Sequence, residues 1–217
     1  MEPVKLPKKQ LILTSLLTLF PILAGLLLWN RLPQQVPTHF NFEGAADGYS
    51  GKPFAVFGLP AFLLAVHLLC AAGVSLDPRG GNVSRKIAVL VLWICPAVSL
   101  FTEGMIYLNA LGIPADNSLF GMLLTGAVFV IVGNYLPKCR QNYTVGIKLP
   151  WTLADEENWN RTHRMAGPLW MAGGCILLLD AFLQIATMWV FLTVTVLLGT
   201  LPVLFSAVLY LRAKQRA

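Results

Sequence analysis

Charged residues are scarce in this 217-residue chain, at 12% of the sequence, whereas 56% of the residues are hydrophobic. With so few charges, little of the chain remains for a soluble domain. Only two connecting segments are long enough to hold specific structure, residues 30–53 and 137–166. The composition therefore points to a protein whose bulk lies in a membrane.

Cysteine is also sparse and lacks the spacing of a disulfide framework or a zinc site. The chain has four cysteines, none of them in segment 30–53, and no C-x-x-C pair. The H-E-x-x-H and G-x-S-x-G motifs of metalloproteases and serine hydrolases are missing as well. We therefore predict a protein that is not an enzyme and that requires no cofactor or metal.

Six apolar runs dominate what is present. Each is close to the roughly 20 residues that a helix needs to cross a bilayer. The runs cover residues 11–29, 54–75, 87–111, 119–136, 168–186 and 188–211. The first run follows a basic N-terminus, as a signal peptide would, but it is long and ends without a small-residue cleavage site, so we expect it to be retained as a span.

Basic residues fall almost entirely on one side of these runs. Alternate assignment of the connections to the two sides places 14 of the 16 Lys and Arg residues together, and only Arg31 and Lys52 opposite. The positive-inside rule then predicts that both termini are cytoplasmic. Orientation and attraction to anionic inner-leaflet lipids account for the net charge of +6. We thus predict contact with membrane lipids and no direct binding of nucleic acid.

These features predict an all-α integral membrane protein with six transmembrane helices. An N-terminal two-helix module would span residues 1–75 and carry a short structured extracellular loop, 30–53. A four-helix module would span residues 76–217 and carry a cytoplasmic loop with an interfacial helix, 137–166. The two modules would form one membrane domain.

The outer loop, 30–53, has the pattern of a short strand and a tight turn. Residues Val36 to Phe42 alternate in polarity, and Gly44 and the Asp47-Gly48 pair can supply positive φ angles. The pattern predicts a hairpin with its tip at Asp47-Gly48-Tyr49. Three interpretations stay open: an ordered loop that packs on the helix ends, a recognition surface for an extracellular ligand, or a metal site. The candidate metal ligands, which lack a diagnostic spacing, are His39, Asn41, Glu43 and Asp47.

The inner loop, 137–166, predicts a helix at the membrane interface. Thr152 is placed to N-cap a helix that starts near residue 153 and continues into the fifth span. Trp159 and His163 would then be i,i+4 neighbours, and Trp159 suits the headgroup region. The loop is either a structural anchor or a cytosolic contact for a soluble partner.

Ionisable residues within the spans are costly in hydrocarbon and usually face the protein interior. Glu103 lies in span three, Asp180 in span five and His67 in span two. The two carboxylates are predicted at similar depths, where they could share an outward-facing pocket beneath the outer loop. Such a group serves a structural hydrogen-bond network, a ligand pocket or a proton-linked site. The basic residues on that side that could pair with a carboxylate are Arg31 and Lys52.

Two motifs carry a resemblance to a known family. The outer motif reads Leu32-Pro33-x-x-Val36-Pro37-x-His39-Phe40-Asn41-x-x-Gly44-x-x-Asp47-Gly48-Tyr49. The inner motif reads Gly133-Asn134-Tyr135, then Pro137-Lys138-x-Arg140-x-Asn142-Tyr143-x-x-Gly146-Ile147-Lys148-x-Pro150-Trp151-Thr152-Leu153, and ends with Trp159-x-x-Thr162-His163-Arg164-x-x-Gly167. Both resemble signatures of the SdpI family, although Lys148 stands where arginine is expected more often.

The resemblance implies a bacterial plasma-membrane protein linked to immunity against a secreted, sporulation-delaying toxin peptide. It also implies signalling, in which a toxin-engaged member holds a cytosolic transcriptional repressor at the membrane. The predicted ligand-binding residues are His39, Asn41, Asp47, Tyr49, Glu103 and Asp180. The predicted partner-binding residues are Arg140, Asn142, Trp151, His163 and Arg164. The alternative is a small proton-linked transporter or carrier that uses Glu103, Asp180 and His67.

Overall fold

The computed structural model describes residues 6–215, within which six helices are long and apolar enough to cross a membrane. The six long helices and one short one, α5, are α1 (Lys8–Leu27), α2 (Leu59–Leu76), α3 (Arg85–Ala110), α4 (Asn117–Tyr135), α5 (Pro150–Ala154), α6 (Glu156–Leu183) and α7 (Thr187–Lys214). The predicted all-α membrane fold with six spans is confirmed. Lys5 and Arg216, which contribute to the charge pattern, lie outside the described residues.

Large apolar side chains cover the outer surfaces of these helices. Leu27 is 87% exposed, and Leu69 and Phe182 are each 71% exposed. Burial of apolar surface away from water is worth about 25 cal/mol per Å², so such helices are stable only where lipid covers them. The protein is therefore a multi-pass membrane protein.

The N-terminal unit, residues 6–75 with 88–118, packs around a core beneath a β-hairpin. Strands β1 (Gln35–Phe40) and β2 (Ala46–Gly51) are antiparallel, and α2 is preceded by a π-helical turn, Phe54–Gly58. Val36 on β1 is fully buried and thereby anchors the hairpin on the helices. The core consists of Leu32, Val36, Ala55, Val56, Ile106 and Tyr107.

The hairpin turns at residues 41–45, so the predicted tip at Asp47-Gly48-Tyr49 is wrong. The Asn41 Oδ1 accepts backbone hydrogen bonds from Glu43 at 3.0 Å and from Ala45 at 2.9 Å. Gly44 supplies the left-handed conformation, with φ of 81°. A short polar side chain that bonds its own backbone favours a turn at that point, and Asp47-Gly48-Tyr49 consequently lies within β2.

The C-terminal unit, residues 76–87 with 119–215, contains α4 from Leu119 onward and α5 to α7. Helices α4 and α6 approach closely because glycines face each other: a Cβ on Gly174 would lie 2.6 Å from the Gly126 carbonyl oxygen. Small residues permit such close approach of membrane helices. Only residues 184–186 connect α6 to α7, so these two helices form a tight antiparallel hairpin. The core consists of Met122, Leu177, Ala181, Val194 and Leu198.

Helix α6 begins at Glu156, well before its apolar run, and its N-cap is Asp155 rather than the predicted Thr152. The Asp155 carboxylate accepts from the backbone N–H of Glu157 at 2.8 Å and of Asn158 at 3.3 Å. Thr152 lies in α5, where its Oγ1 accepts from the Leu149 N–H at 2.9 Å. The prediction failed because the chain forms a separate helical turn before α6.

Substitution of Gly174 tests the close approach of α4 and α6. Gly174→Ala should lower the free energy of unfolding by about 1–3 kcal/mol, because the added methyl group meets backbone atoms of Gly126 and Val130. The measurement is thermal unfolding of purified protein in detergent. The matched control is Gly121→Ala on α4, where no described atom lies within 4 Å of the added Cβ. Equal melting temperatures for the two variants would contradict the packing.

Candidate functional site

The hairpin presents three of the predicted ligand-binding side chains on its exposed surface. The His39 Nδ1 lies 2.5 Å from the Asp47 Oδ1, and the two side chains are 74% and 47% exposed. Tyr49 is 59% exposed and lies two residues from Asp47 on β2. An imidazole, a carboxylate and a phenol are thus displayed together on a two-stranded scaffold.

The pairing of the strands explains how His39 reaches Asp47. His39 is opposite Gly48 in the register, between two irregularities of the pairing, the second of which leaves Asp47 as an extra residue in β2. A Cβ at position 48 would lie 2.8 Å from the His39 Cβ. Glycine at this position therefore makes room for the imidazole beside the Asp47 carboxylate.

The fourth predicted residue of the hairpin, Asn41, holds the turn through its side-chain oxygen, as described above. The turn itself is fastened to the start of α4. The Asn117 Nδ2 donates to the Gly44 carbonyl at 2.8 Å. Asn117 and Asn109 exchange hydrogen bonds of 2.7 and 3.0 Å through their side-chain amides. These contacts line an open cleft of about 660 Å³ between the turn and the α3–α4 connection.

The base of the hairpin is held by Lys52, which is only 7% exposed. Its Nζ donates to the Trp29 carbonyl at 3.1 Å and lies 5.3 Å from the centroid of the Trp29 ring. Lys52 is thus engaged within the hairpin base. Buried Val36, the Asn117 clamp and Lys52 together make the exposed face a fixed surface rather than a mobile loop.

The two predicted membrane carboxylates are both buried, at 1% exposure for Glu103 and 6% for Asp180. Glu103 belongs to the N-terminal unit and Asp180 to the C-terminal unit. Among residues 6–215, the Oδ2 of Asp180 and both carboxyl oxygens of Glu103 are buried and make no hydrogen bond of good geometry, although the Tyr107 hydroxyl lies beside Glu103. The shared pocket remains a prediction.

The long loop, residues 137–155, is organised by a buried aspartate from the α2–α3 connection. The Asp77 Oδ2 accepts from the Tyr143 N–H at 2.9 Å and from the Thr144 hydroxyl, and its Oδ1 accepts from the Arg79 N–H at 2.8 Å. Asp77 is 4% exposed. A buried carboxylate with three donors replaces the hydrogen bonds of water and fixes the loop against the connection.

Arg79 and Gln141 extend the hydrogen-bond network that Asp77 forms with the long loop. The Arg79 guanidinium donates to the Gln141 Oε1 and stacks over the Tyr143 ring at 5.0 Å. The Gln141 Nε2 donates to the carbonyls of Thr152 at 2.8 Å and of Leu153 at 3.1 Å. The polar chain therefore ties both ends of the loop together and continues into α5.

Two of the predicted partner-binding residues, Asn142 and His163, shape the loop from inside, each being 1% exposed. The Asn142 side chain accepts from the N–H groups of Thr144 and Val145 at 2.9 and 2.7 Å. The His163 Nδ1 donates to the Trp159 carbonyl at 2.8 Å, which leaves the Nε2 to accept from the Ile147 N–H at 2.9 Å.

Trp159 is fully buried, which corrects its predicted place at the headgroup region. Its ring stacks on His163 with centroids 4.1 Å apart, and its Nε1 donates to the Cys139 carbonyl at 2.8 Å. The indole is buried because its hydrogen bond to Cys139 joins the long loop to α6.

The other three predicted partner-binding residues remain accessible. Arg140 and Arg164 are exposed, and Trp151 is half-buried. The Trp151 Nε1 donates to the Ser206 Oγ at 3.0 Å, and its ring stacks on Tyr210. A soluble partner could therefore reach the arginines directly.

Sequence reasoning missed Asp77, Arg79 and Gln141. The signal for the first two is an acidic and a basic residue in a Pro-Gly turn, Asp77-Pro78-Arg79-Gly80, immediately after an apolar run. Their partners lie more than sixty positions away along the chain, so no local pattern identifies them. In the part of the chain that the structure describes, no three His, Cys, Asp or Glu side chains converge as a metal site.

Comparison with known proteins found two family models and a curated relative that match the chain. Residues 138–206 match the SdpI/YfhL protein family, and residues 16–64 match a domain of unknown function (DUF1648). The immunity protein SdpI of Bacillus subtilis (strain 168) is 24% identical over 178 residues, covering 80% of this chain and 82% of the relative. No solved structure matches the chain. The resemblance carried by the two loops is therefore confirmed.

Removal of the Asp77 carboxylate should open the long loop. Asp77→Ala leaves the Tyr143 N–H and the Thr144 hydroxyl without their acceptor, at a cost of about 1–3 kcal/mol for each buried donor. We expect trypsin to cleave after Lys148 at least about tenfold faster in the purified protein. Glu156→Ala, at a neighbouring exposed carboxylate, should cleave at the native rate. Equal cleavage of both variants would show that Asp77 does not hold the loop.

Thiol reactivity provides a second probe of this loop. Burial raises the pKa of the Cys139 thiol from 9.0 to about 11. Because the thiolate is the reactive form, this shift lowers its fraction near pH 8 about 100-fold relative to an unshifted thiol. A protein with Cys139 as its single cysteine should therefore react slowly with maleimide and faster as the pH approaches 11.

The matched control for Cys139 is Arg140→Cys in a cysteine-free background, since position 140 is exposed. That variant should react rapidly near pH 8. Equal rates at positions 139 and 140 would mean that the loop is open in solution.

Proposed function

We propose that this member of the SdpI/YfhL protein family protects a bacterial plasma membrane by binding a secreted, membrane-active peptide through its hairpin. The relative that covers most of the chain is named an immunity protein. The observation that carries the proposal is the fixed display of His39, Asp47 and Tyr49 on the hairpin. Peptide recognition requires such a preordered polar and aromatic surface.

The proposal requires the hairpin to face outward. The positive-inside rule supports this orientation, since 14 of the 16 basic residues lie on the side of the long loop and the termini. Both termini would then be cytoplasmic. A peptide that arrives from outside would meet the hairpin first, before it reaches the lipid.

The chemistry of the hairpin defines the kind of peptide segment that it would bind. Tyr49 offers a large aromatic surface of low conformational entropy, and the His39–Asp47 pair offers both a donor and an acceptor. A peptide that combines apolar side chains with polar groups fits this surface. Asn41 acts through the turn, and Glu103 and Asp180 are proposed to complete the ligand-binding set from within the membrane.

The long loop is proposed to report ligand occupancy to the cytosol. Arg140, Arg164 and Trp151 would contact a soluble partner, because they remain accessible. Asn142 and His163 would act by holding the loop in its shape. The resemblance supports a transcriptional repressor as that partner, with anionic lipid headgroups as additional contacts of the basic side chains.

A small proton-linked carrier remains the alternative function. The observation that favours it is the burial of Glu103 and Asp180 with unpartnered carboxyl oxygens among the described residues. Carboxyl groups of this kind mark proton and ion paths in membrane proteins. Immunity is favoured because the matching relative is named for it.

The test of the immunity proposal is survival of a toxin-sensitive bacterium that expresses the chain and is challenged with the sporulation-delaying peptide. The triple variant His39→Ala, Asp47→Ala and Tyr49→Ala should lose protection. Loss of one interface hot spot costs about 2 kcal/mol, or about 30-fold in affinity. Gln35→Ala, at an exposed position on the far end of β1, should protect as the native protein does.

Membrane insertion of every variant is checked by immunoblotting of the membrane fraction, so that loss of protein is not read as loss of binding. Challenge with an unrelated pore-forming peptide tests selectivity. Full protection by the triple variant at native protein levels would refute the proposed binding surface.

A further inference from the structure

The N-terminal unit contains a buried polar track that the immunity proposal does not use. Helix α3 presents Ser99, Glu103 and Tyr107 at intervals of four residues, hence on one face. All three are buried, at 0%, 1% and 5% exposure. Facing residues Thr14 and Thr18 of α1 and His67 of α2 are each 0% exposed. Six polar side chains at membrane depth are costly unless they serve one another or a ligand.

Most groups of the track satisfy one another. The Ser99 Oγ donates to the Thr18 carbonyl at 2.8 Å, and the Tyr107 hydroxyl donates to the Pro21 carbonyl at 3.2 Å. The Thr18 Oγ1 donates to the Thr14 carbonyl at 2.8 Å. Each hydroxyl hydrogen is therefore used on a backbone carbonyl of α1.

The hydrogen bonds of Thr14 also determine which ring nitrogen of His67 carries the hydrogen. The Thr14 Oγ1 donates to the Gln10 carbonyl at 2.8 Å, and it lies 3.1 Å from the His67 Nε2. A hydroxyl has a single hydrogen, so the imidazole is the donor to Thr14. The His67 Nδ1, which is buried and has no hydrogen-bond partner among the described residues, then carries a lone pair.

Glu103 is the exception in the track. Its carboxyl group lies beside the Tyr107 hydroxyl, but that hydroxyl donates its hydrogen to the Pro21 carbonyl. Among the described residues, no donor bonds either carboxyl oxygen with good geometry, and both oxygens are buried. The hydroxyls of Thr18, Ser99 and Tyr107 all donate their hydrogens to backbone carbonyls of α1. The polar groups around Glu103 are therefore hydrogen-bond acceptors. An isolated carboxylate in such a place is strongly unfavourable without a positive partner.

The adjacent segment of α1 adds a further acceptor. Pro21 lies inside α1 and is buried. Since proline has no N–H, the carbonyl of Leu17 loses the donor that a regular helix would supply. This carbonyl belongs to the same turn as the Thr18 carbonyl that accepts from Ser99. Helix α1 continues through Pro21, and a carbonyl freed in this way is the kind of oxygen that coordinates small cations in membrane proteins.

We propose that Glu103 is the anionic ligand of a membrane-buried site for a small monovalent cation, a proton or Na⁺. Oxygen ligands are what hard cations take in proteins, and carboxyl, carbonyl and hydroxyl oxygens are what the track offers. The titratable groups that face the track are Tyr107 and Cys95 on α3 and His67 on α2, whereas α1 contributes hydroxyls and carbonyls. The site does not depend on the immunity proposal.

The experiment is reaction of the full-length protein in liposomes with dicyclohexylcarbodiimide, which modifies protonated carboxyl groups in apolar surroundings. Mass spectrometry quantifies the adduct on the peptides that contain Glu103, Asp180 and Glu156. We expect Glu103 to be modified and the exposed Glu156 to be spared. Glu103→Gln should abolish the adduct on its peptide, although the native protein alone suffices for the test.

The two cations give different results. For a proton site, the rate of modification should fall about tenfold per pH unit once Glu103 is deprotonated, whatever the Na⁺ concentration. For a Na⁺ site, added Na⁺ at fixed pH should protect Glu103, whereas N-methylglucamine should not. Absence of the Glu103 adduct from about pH 5 to about pH 9, with or without Na⁺, would overturn the proposal. So would modification at a rate that neither pH nor Na⁺ changes.

The triple alanine variant of the hairpin separates this proposal from the immunity proposal. It should lose protection and keep the native pattern of Glu103 modification, because its substitutions lie at exposed positions of the hairpin. Protection without a cation-sensitive Glu103 would overturn only the cation site. A cation-sensitive Glu103 without protection would refute only the immunity function.

Discussion

Hydrocarbon offers no hydrogen bonds, so each polar group that this chain buries must find its partner within the protein. The two loops follow from that constraint. Asp77 satisfies donors of the long loop, and Asn117 satisfies a carbonyl of the hairpin turn. Asp77 belongs to the same unit as the long loop, and Asn117 belongs to the same unit as the hairpin. These buried hydrogen bonds hold the surfaces proposed for binding in place.

The same constraint divides the proposed binding residues into two kinds. His39, Asp47 and Tyr49 are exposed and can meet a ligand directly. Asn41, Asn142 and His163 use their polar atoms on the local backbone and give the loops their shape. Recognition by the exposed residues depends on the residues that shape the loops. If the loops were flexible, binding would have to order them, and the entropy cost would weaken the affinity. Glu103 fits neither kind, which is why it points to a further ligand.

Much of the fold was predictable because a local run of about 20 apolar residues is enough to identify a membrane helix. Six apolar runs gave six helices, and the strand pattern around Val36 gave a strand. The hairpin tip was misplaced because the Asn41 side chain, rather than the Asp47-Gly48 pair, forms the turn. The Asp77 contacts join positions far apart in sequence, so no local pattern contains them. The modules 1–75 and 76–217 stay a prediction, while residues 88–118 pack with the N-terminal unit.

The most direct test of hairpin recognition is site-specific photo-crosslinking in living cells exposed to the toxin peptide. A photoreactive phenylalanine replaces either Tyr49 on the hairpin or Tyr143 on the long loop, which are 59% and 45% exposed. The account predicts a covalent adduct with the peptide from position 49 and none from position 143. An adduct from position 143 alone, or protection from the toxin without any adduct at position 49, would contradict it.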